Sequence, residues 1–224
     1  MKRWLTSALV LFAMLGSMPA LAQLAIIKPP SRVAVPTSGA AITQPYSAVI
    51  LWPTGRCGLE KHNWTRDNAD AKSCNNGFCS VEYYESAATR GTHVARDAST
   101  AWVWVGMACQ KISVSASRSY VVQYGPTAQI VEAPEYLEVD EGASFIGTGS
   151  VDTQFAANPT GTYRLDFGDG NHYDSSSAYY FYSSPGTYVI TYTVSDGYFT
   201  ATAQRTVHVG GQAPCGPGTE IICP

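Results

Sequence analysis

The sequence predicts an all-β protein built from two β-sandwich modules in tandem. Residues 188–195 alternate strictly between large apolar and small polar side chains, which is typical of a half-buried strand. Turns that contain Gly or Pro separate further short runs of this kind. Between residue 23 and Gly125 no stretch shows a convincing helical period, so helices are not expected to contribute to the first module.

Residues 1–22 are predicted to be a cleaved signal peptide. Lys2 and Arg3 precede an apolar run that ends at Leu15, and Ala20-Leu21-Ala22 forms an A-x-A cleavage site. The apolar run is too short to span a bilayer, and no later run of about 20 apolar residues follows it. We therefore expect a secreted, periplasmic or cell-surface chain that begins near Gln23 and lacks a transmembrane segment.

Residues 23–44 are rich in Pro, Ala, Ser and Thr and are predicted to form an extended lead-in or an edge strand. Residues 45–125 are predicted to form the first, disulfide-bearing module. Its strand candidates are Tyr46–Trp52, Ser80–Glu85, Ala101–Val105, Ile112–Ser115 and Tyr120–Tyr124. We expect the polar stretch 56–76 to be a long loop held by disulfides. An Ig-like sandwich, a fibronectin-like sandwich and another β fold all remain open for this module.

Gly125-Pro126 is the predicted domain boundary, because every tryptophan after the leader precedes it. The second module, residues 126–210, contains the run Leu165-Asp166-Phe167-Gly168-Asp169-Gly170 and the turn Tyr182-Ser183-Ser184-Pro185-Gly186-Thr187-Tyr188. At this spacing the two motifs resemble the PKD (polycystic-kidney-disease) domain family, over about residues 127–209. The resemblance implies an Ig-like β-sandwich. Leu165 stands where the family usually has Trp, so the packing beneath that strand must differ.

Six cysteines follow the predicted leader, and an even number in an exported chain favours disulfides over zinc, whose usual ligand spacings are absent. Six cysteines allow about 15 pairings, and sequence alone does not decide among them. An Asn-Gly turn and a short Gly/Pro-rich loop in the tail (residues 211–224) favour two local pairs. The favoured set is Cys74–Cys79, Cys215–Cys223 and, by remainder, Cys57–Cys109.

Charge is distributed unevenly along the chain. Residues 23–125 contain ten Lys and Arg against six Asp and Glu, whereas residues 126–210 contain two against ten. This asymmetry is compatible with self-association, and equally with two independently solvated modules. The basic residues are scattered rather than clustered, which argues against nucleic-acid binding.

Four aromatic residues are candidate ligand-binding residues. Tyr173 and Tyr179 flank a Ser-rich connection, and as exposed side chains they would suit sugar or protein contacts; the alternative is that these tyrosines fill the core. Trp102 and Trp104 lie two residues apart and so face the same side of their strand. An exposed pair would form a stacking platform for a polysaccharide, but we expect the pair to lie in the core of the first module.

Asp152, Asp166 and Asp169 are candidate calcium ligands, because the family resemblance implies that loop carboxylates near this run bind calcium in some members. Calcium requires six or more oxygen ligands. We prefer the alternative that Asp166 and Asp169 brace the turn, and the loop 152–161 lacks the second acid of the family. No other cofactor is expected.

The sequence therefore predicts an exported, non-catalytic protein that binds or adheres to an extracellular protein or polysaccharide through β-sandwich surfaces. One alternative is a subunit of an extracellular filament. Another is a secreted hydrolase, because the resemblance implies that such domains accompany exported proteases and chitinases. No catalytic motif stands out. A cleft that holds His62 or His93 beside Asp67 or Asp97 would favour the hydrolase.

Overall fold

The computed structural model of the chain describes residues 23–51, 55–75 and 79–210. Within these ranges it forms sixteen β-strands and one turn of 3₁₀ helix, Ala87–Thr89. The strands are β1 (Gln23–Lys28), β2 (Arg32–Val35), β3 (Ile42–Leu51), β4 (Arg56–Arg66), β5 (Ala69–Asn75), β6 (Cys79–Glu85), β7 (Gly91–Val105), β8 (Ala108–Tyr124), β9 (Thr127–Glu132), β10 (Tyr136–Leu137), β11 (Gly142–Ser150), β12 (Thr162–Asp166), β13 (His172–Tyr173), β14 (Ser177–Phe181), β15 (Gly186–Ser195) and β16 (Thr200–Val209). The predicted signal peptide and the tail with Cys215 and Cys223 lie outside the described residues. No helix in the described part of the chain is long and apolar enough to cross a membrane.

The fold divides into two compact units, each assembled from several chain segments. Within the described ranges, unit 1 consists of residues 23–31, 43–83 and 93–120. Unit 2 consists of residues 32–42, 84–92 and 121–210. The division falls close to the boundary predicted at Gly125-Pro126, but two upstream segments belong to unit 2. Composition along the chain does not identify such segments, because their membership depends on spatial contacts.

Two sheets form unit 1, with an aromatic cluster between them. One sheet has the order β1-β3-β6, and the other contains β8, β7, β4 and β5 as consecutive neighbours. Tyr46 of β3 packs on Trp64 of β4 and Tyr83 of β6, at ring-centroid distances of 5.8 and 4.4 Å. The Tyr46 hydroxyl also forms a hydrogen bond with that of Tyr120. Burying such large rings removes a large apolar area from water and stabilises this unit.

The long loop expected over residues 56–76 is wrong, because residues 56–75 form the β4–β5 hairpin. Asp67 and Asn68 make the turn with positive φ angles, a backbone region that Asn and Asp enter more readily than most residues. The inward positions of β4 include the fully buried Glu60 and His62. Polar residues at buried strand positions hide the apolar alternation, so the residue pattern of β4 resembles that of a loop.

Disulfides join Cys57 to Cys109 and Cys74 to Cys79, as predicted. Their Cα–Cα distances are 6.0 and 5.9 Å, within the usual range for disulfides. The first bridge ties β4 to β8, and the second links β5 to the start of β6.

The lead-in contains two strands, in keeping with the expected edge strand. β1 pairs antiparallel with β3 at the edge of the three-stranded sheet. β2 pairs parallel with residues 121–124 at the end of β8. Within the described part of the chain each of these strands therefore pairs along one edge only.

Unit 2 is a β-sandwich with an apolar core. Its sheets have the orders β14-β11-β9 and β10-β16-β15-β12-β13. The alternation predicted in β15 is confirmed, since Ile190, Tyr192 and Val194 are fully buried. The complete buried cluster is Ala133, Leu137, Phe145, Leu165, Phe167, Tyr182, Ile190, Tyr192, Val194, Val207 and Val209.

The acidic turn after β12 requires glycine at one position. Gly168 has a φ of 78°, and a Cβ atom there would lie 2.7 Å from the backbone oxygen of Val189. Both the backbone angle and the close approach exclude larger residues. Leu165, which replaces the Trp of the family motif, is fully buried and part of the core.

Candidate functional site

A concave, tyrosine-rich region of unit 2 is the strongest candidate for a binding site. It is formed by the turn after β12, by β13 and by the outward face of β14. Along β14 the side chains of Ser177, Tyr179 and Phe181 are exposed, whereas those of Ala178 and Tyr180 pack against the core. We define the tyrosine surface as Asp169, Asn171, Tyr173, Tyr179, Tyr180 and Phe181.

Tyr180 forms a rigid base for this surface. Its ring stacks on Phe167 with centroids 3.9 Å apart and planes 7° from parallel. Its hydroxyl donates to Asp169 Oδ2 at 2.5 Å and accepts from Asn171 Nδ2 at 2.8 Å. Burial and the bond to Asp169 raise the pKa of Tyr180 to about 12. Although burial opposes it, the same hydrogen bond lowers the pKa of Asp169, so the carboxylate stays charged.

Tyr173 and Tyr179 are the exposed rings of the surface, with 49% and 70% of their area accessible. The ring of Tyr173 packs edge-on against Phe167 at 5.7 Å. The ring of Tyr179 lies over Gly142, where an added Cβ would come within 2.5 Å of the phenol oxygen. Both predicted residues are therefore exposed and also positioned by the fold.

The same two rings line two adjoining hollows of about 390 and 310 Å³. The larger hollow is completed by Asp169, Asn171, His172, Tyr180, Phe181 and Ser183, and the smaller by Asp174, Ser175, Ser177 and Ala178. Aromatic faces beside hydroxyl, amide and carboxylate groups suit a ligand with both apolar area and hydrogen-bond donors.

Beside the tyrosine surface lies an ion pair that also lines a hollow of about 600 Å³. Arg164 Nε donates to Asp174 Oδ1 at 2.8 Å, and Arg164 Nη2 lies 2.9 Å from His172 Nε2. The hydrogen bond and charge of Arg164 lower the pKa of Asp174. Arg164 is therefore already engaged by Asp174.

The carboxylates considered for calcium are engaged within the protein. Asp152 Oδ1 and Oδ2 accept from Arg90, and they also accept from the backbone N–H groups of residues 124, 154 and 155. Asp166 accepts from the N–H of Gly168, and Asp169 is bonded as described above. In the described ranges no group of three or more His, Cys, Asp or Glu side chains is placed to hold a metal ion. These bonds favour the interpretation that the aspartates brace their turns.

The expected burial of the tryptophan pair is wrong. Trp102 and Trp104 have 43% and 44% of their area accessible, while their neighbours Ala101 and Val103 are buried. The pair therefore lies on the outward face of β7. Among the tryptophans that the structure describes, Trp64 is the buried one, and its Nε1 donates to Cys79 Sγ at 3.2 Å.

His62 and Asp97 meet, but in the interior of unit 1 rather than in a cleft. His62 Nδ1 lies 2.6 Å from Asp97 Oδ2, and His62 Nε2 lies 2.8 Å from Glu60 Oε1. Burial alone would lower the pKa of His62, but the two carboxylates outweigh it and raise the pKa. Only the doubly protonated ring can donate to both acids, which agrees with a charged His62.

Ser99 completes this group without forming a nucleophilic triad. Its hydroxyl donates to Asp97 Oδ2 and lies 2.8 Å from His62 Nδ1, the nitrogen that also faces Asp97. In a catalytic triad the serine and the aspartate use opposite ring nitrogens. Glu60 occupies the other nitrogen here, and all four side chains are buried. The second pair, His93 and Asp67, meets at 2.6 Å at the β4–β5 turn, where Asp67 also accepts from the N–H of Val94.

Sequence reasoning identifies the two exposed tyrosines and misses Asn171 and Phe181. Period-two alternation through β14 places Phe181 on the same face as Tyr179, so that signal was present in the sequence. Asn171 could not be found in this way, because its role depends on a hydrogen bond that closes the turn.

Residues 124–210 match the family model of the PKD domain. The match confirms the resemblance carried by the two motifs, and it covers the sandwich of β9–β16. No curated protein sequence matches the chain.

Three of the solved structures to which the chain is similar are the following. The fibronectin(III)-like modules of Clostridium thermocellum CbhA share 13% identity over 84% of this chain and 93% of theirs, with a TM-score of 0.44. The ICAM-5 D1–D4 ectodomain fragment shares 15% over 84% of this chain and 53% of its own, with a TM-score of 0.35. The N-terminal four Ig domains of Dscam1 isoform 9.44 share 10% identity over 86% of this chain and 47% of theirs, with a TM-score of 0.32.

Proposed function

We propose that this protein is an exported, non-catalytic binding protein whose PKD domain attaches to an extracellular protein through the tyrosine surface. The observation that carries the proposal is the pair Tyr173 and Tyr179. Both rings are exposed, both are held by packing contacts, and both line each of the two hollows. An Ig-like domain and two disulfides fit an extracellular binding or adhesion module.

A protein partner is favoured by the chemistry of the surface. Tyrosines present large contact area at low cost in conformational entropy, and neighbouring Ser and Asn side chains supply adaptable hydrogen bonds. Asp169 adds a charged acceptor to the larger hollow. Because residues 126–210 contain ten acids against two bases, a partner with basic groups would associate faster at low salt.

The test is capture of extracellular proteins, collagen among them, and of polysaccharides by the disulfide-bonded chain. The variant Y173A/Y179A should reduce capture of its protein ligand by at least about tenfold, since buried aromatic anchors dominate such interfaces. Tyr198→Ala is the matched control, because Tyr198 has the same 49% exposure as Tyr173 but lies at the β15–β16 turn. Equal binding by both variants would place the site elsewhere.

Two further measurements distinguish the alternative functions. Sedimentation at low and high salt detects self-association, and salt-sensitive polymers would favour the filament over the binding protein. A panel of protein, ester and glycoside substrates tests for hydrolysis. Turnover that His62→Gln abolishes would reject the non-catalytic proposal.

A further inference from the structure

We infer that unit 1 has a second binding surface, the outward face of β4, β7 and β8 around Trp102 and Trp104, and that its ligand is an acidic polysaccharide. This inference does not depend on the tyrosine surface, which belongs to unit 2. We call the new region the tryptophan face.

The two indoles stand on one side of one strand. Residues two apart in a strand are separated by about 6.8 Å, so a single extended sugar chain can contact both rings. Each indole keeps more than two fifths of its area accessible. The apolar faces of sugar rings stack on such amphipathic aromatic groups.

The position of Trp102 is set by a bulge in β4. Arg56 pairs with Val103 and Glu60 with Ala101, so the three residues 57–59 of β4 oppose Trp102 alone. A Cβ atom at Gly58 would lie 2.8 Å from Trp102 Cβ and 3.1 Å from its ring carbons. The indole therefore rests against a backbone position without a side chain. Bulges of this kind orient a side chain at functional sites, and preorganisation reduces the entropy cost of binding.

A disulfide holds the same bulge in place. Cys57, next to Gly58, is bonded to Cys109 on β8. The support beneath Trp102 is thus linked covalently to β8, the strand on the other side of β7, which is further evidence of a built platform rather than of an indole exposed by chance.

Around the indoles the face is polar and basic. Lys61 of β4 lies opposite Thr100 of β7, two residues before Trp102. Arg96, on the same face of β7, lies opposite Thr65 of β4. On β8, Lys111 is exposed, and the exposed serines of that strand are Ser113, Ser115, Ser117 and Ser119. The described residues 59–65 of β4, 94–104 of β7 and 109–119 of β8 have no Asp or Glu at their outward positions. Lys61, Arg96 and Lys111 thus lie on a face whose described outward positions have no carboxylate, which favours an anionic ligand. The exposed serine hydroxyls favour a ligand with many hydrogen-bonding groups.

A polysaccharide fits this pattern better than an anionic membrane does. A bilayer surface would engage chiefly the apolar hairpin tip, where Met107 is 99% exposed, and would leave the serine row of β8 without partners. A polysaccharide that lies along the indoles of β7 can use its branches and flanking sugars to contact the hydroxyls and cations of β4 and β8 as well.

The test is binding of the disulfide-bonded chain to alginate, with dextran as the neutral probe. Alginate should quench or shift the tryptophan fluorescence, with at least tenfold weaker binding to dextran. W102A and W104A should each weaken alginate binding by about tenfold, a size expected for loss of a ring contact. K61A and R96A should weaken it less, and should reduce its salt dependence.

Control variants distinguish binding at the tryptophan face from binding elsewhere on the chain. M107A removes an exposed apolar side chain at the hairpin tip and should leave alginate binding unchanged, as should Y173A/Y179A. Gly58→Ala should weaken binding by displacing Trp102 even though no contacting group is removed. Equal affinity for dextran, for duplex DNA or for anionic lipid vesicles would overturn the inference, and so would an undiminished affinity of W102A/W104A with unchanged far-ultraviolet circular dichroism.

Discussion

The interiors of the two units use different chemistry. The core of unit 2 is a continuous cluster of apolar and aromatic side chains. Unit 1 has an aromatic cluster as well, but the centre of its larger sheet buries Glu60, His62, Asp97 and Ser99. Buried carboxylates also occur in unit 2, where Asp152 and Asp196 accept backbone N–H groups in loops. A sandwich can therefore close around an ionic group, provided that each charge has a partner.

Loss of a disulfide should cause the largest difference in stability between the two units. The variant C57S/C109S removes a cross-link across 52 residues, which the chain-entropy model values at about 4 kcal/mol. Unit 1 should unfold at a much lower denaturant concentration, while the sandwich of unit 2 keeps its midpoint. Tryptophan fluorescence reports only unit 1, because the described part of unit 2 contains no tryptophan. Circular dichroism follows both, and a single shared transition would contradict the expectation.

His62→Ala should be nearly as damaging, because it leaves two buried carboxylates without their shared cation. Breaking a buried ion pair typically costs about 3–5 kcal/mol. Among the described residues, Arg56 is the one cation that would still compensate an acid of this group, Glu60, at 3.0 Å. The triple variant E60L/H62L/D97L removes all three charges, and its stability should recover most of the loss. If the triple variant is less stable than H62A in urea, the cluster contributes more than mutual neutralisation.

In unit 2, Gly168→Ala should cost at least about 1–3 kcal/mol, the range for a strained backbone conformation. The added methyl group must also displace the backbone of Val189. Gly170→Ala is the matched control, since Gly170 also has a positive φ but no atom lies within 4 Å of its added Cβ. Urea denaturation gives the free energy of unfolding of both variants. The additional loss in G168A relative to G170A is the cost of the contact with the Val189 backbone. Equal losses would assign the whole effect to backbone strain.

The smallest effect expected is a pH dependence confined to unit 1. The pKa of His62 is raised in the folded state, so its stabilising contribution is complete below the unfolded value near 6.5 and is lost as the pH rises through the folded value. The tryptophan-detected midpoint should therefore fall from slightly acidic to alkaline pH. His62→Gln should abolish this slope while unit 2 keeps its own profile. A wild-type midpoint that rises with pH would reject a charged His62.

The sequence predicts unit 2 better than unit 1, because the interior of unit 2 is apolar whereas that of unit 1 includes buried charged residues. In unit 2 the alternation of β15 and the glycine turn at residues 168–170 reflect an apolar core and a steric requirement, and both are visible in the residues. In β4 the buried positions are Glu60 and His62, so the pattern resembles a loop. Burial is the natural expectation for Trp102, because large apolar side chains usually pack in the core. Its exposure follows from strand parity: Ala101 and Val103 occupy the inward positions.

The two proposed binding surfaces were predictable in part. Tyr173 and Tyr179 could be named because tyrosines beside a serine-rich connection are typical of adhesive loops. The bulge that places Gly58 against Trp102 depends on the register of β4 and β7, which local sequence does not specify. The pairing of His62 with Asp97 likewise requires two strands to be aligned across 35 residues of sequence.

The contacts of Arg90 determine how a minimal PKD domain of this chain should be cut. Its guanidinium makes two hydrogen bonds to the buried Asp152, at 2.8 and 3.0 Å, and lies 4.1 Å from the ring centroid of Tyr124. A recombinant fragment trimmed to residues 124–210 lacks this arginine, so its Asp152 would lose its ion-pair partner and keep only the hydrogen bonds from backbone N–H groups. Expression trials should therefore retain residues 84–92, which precede the recognisable domain by more than thirty positions.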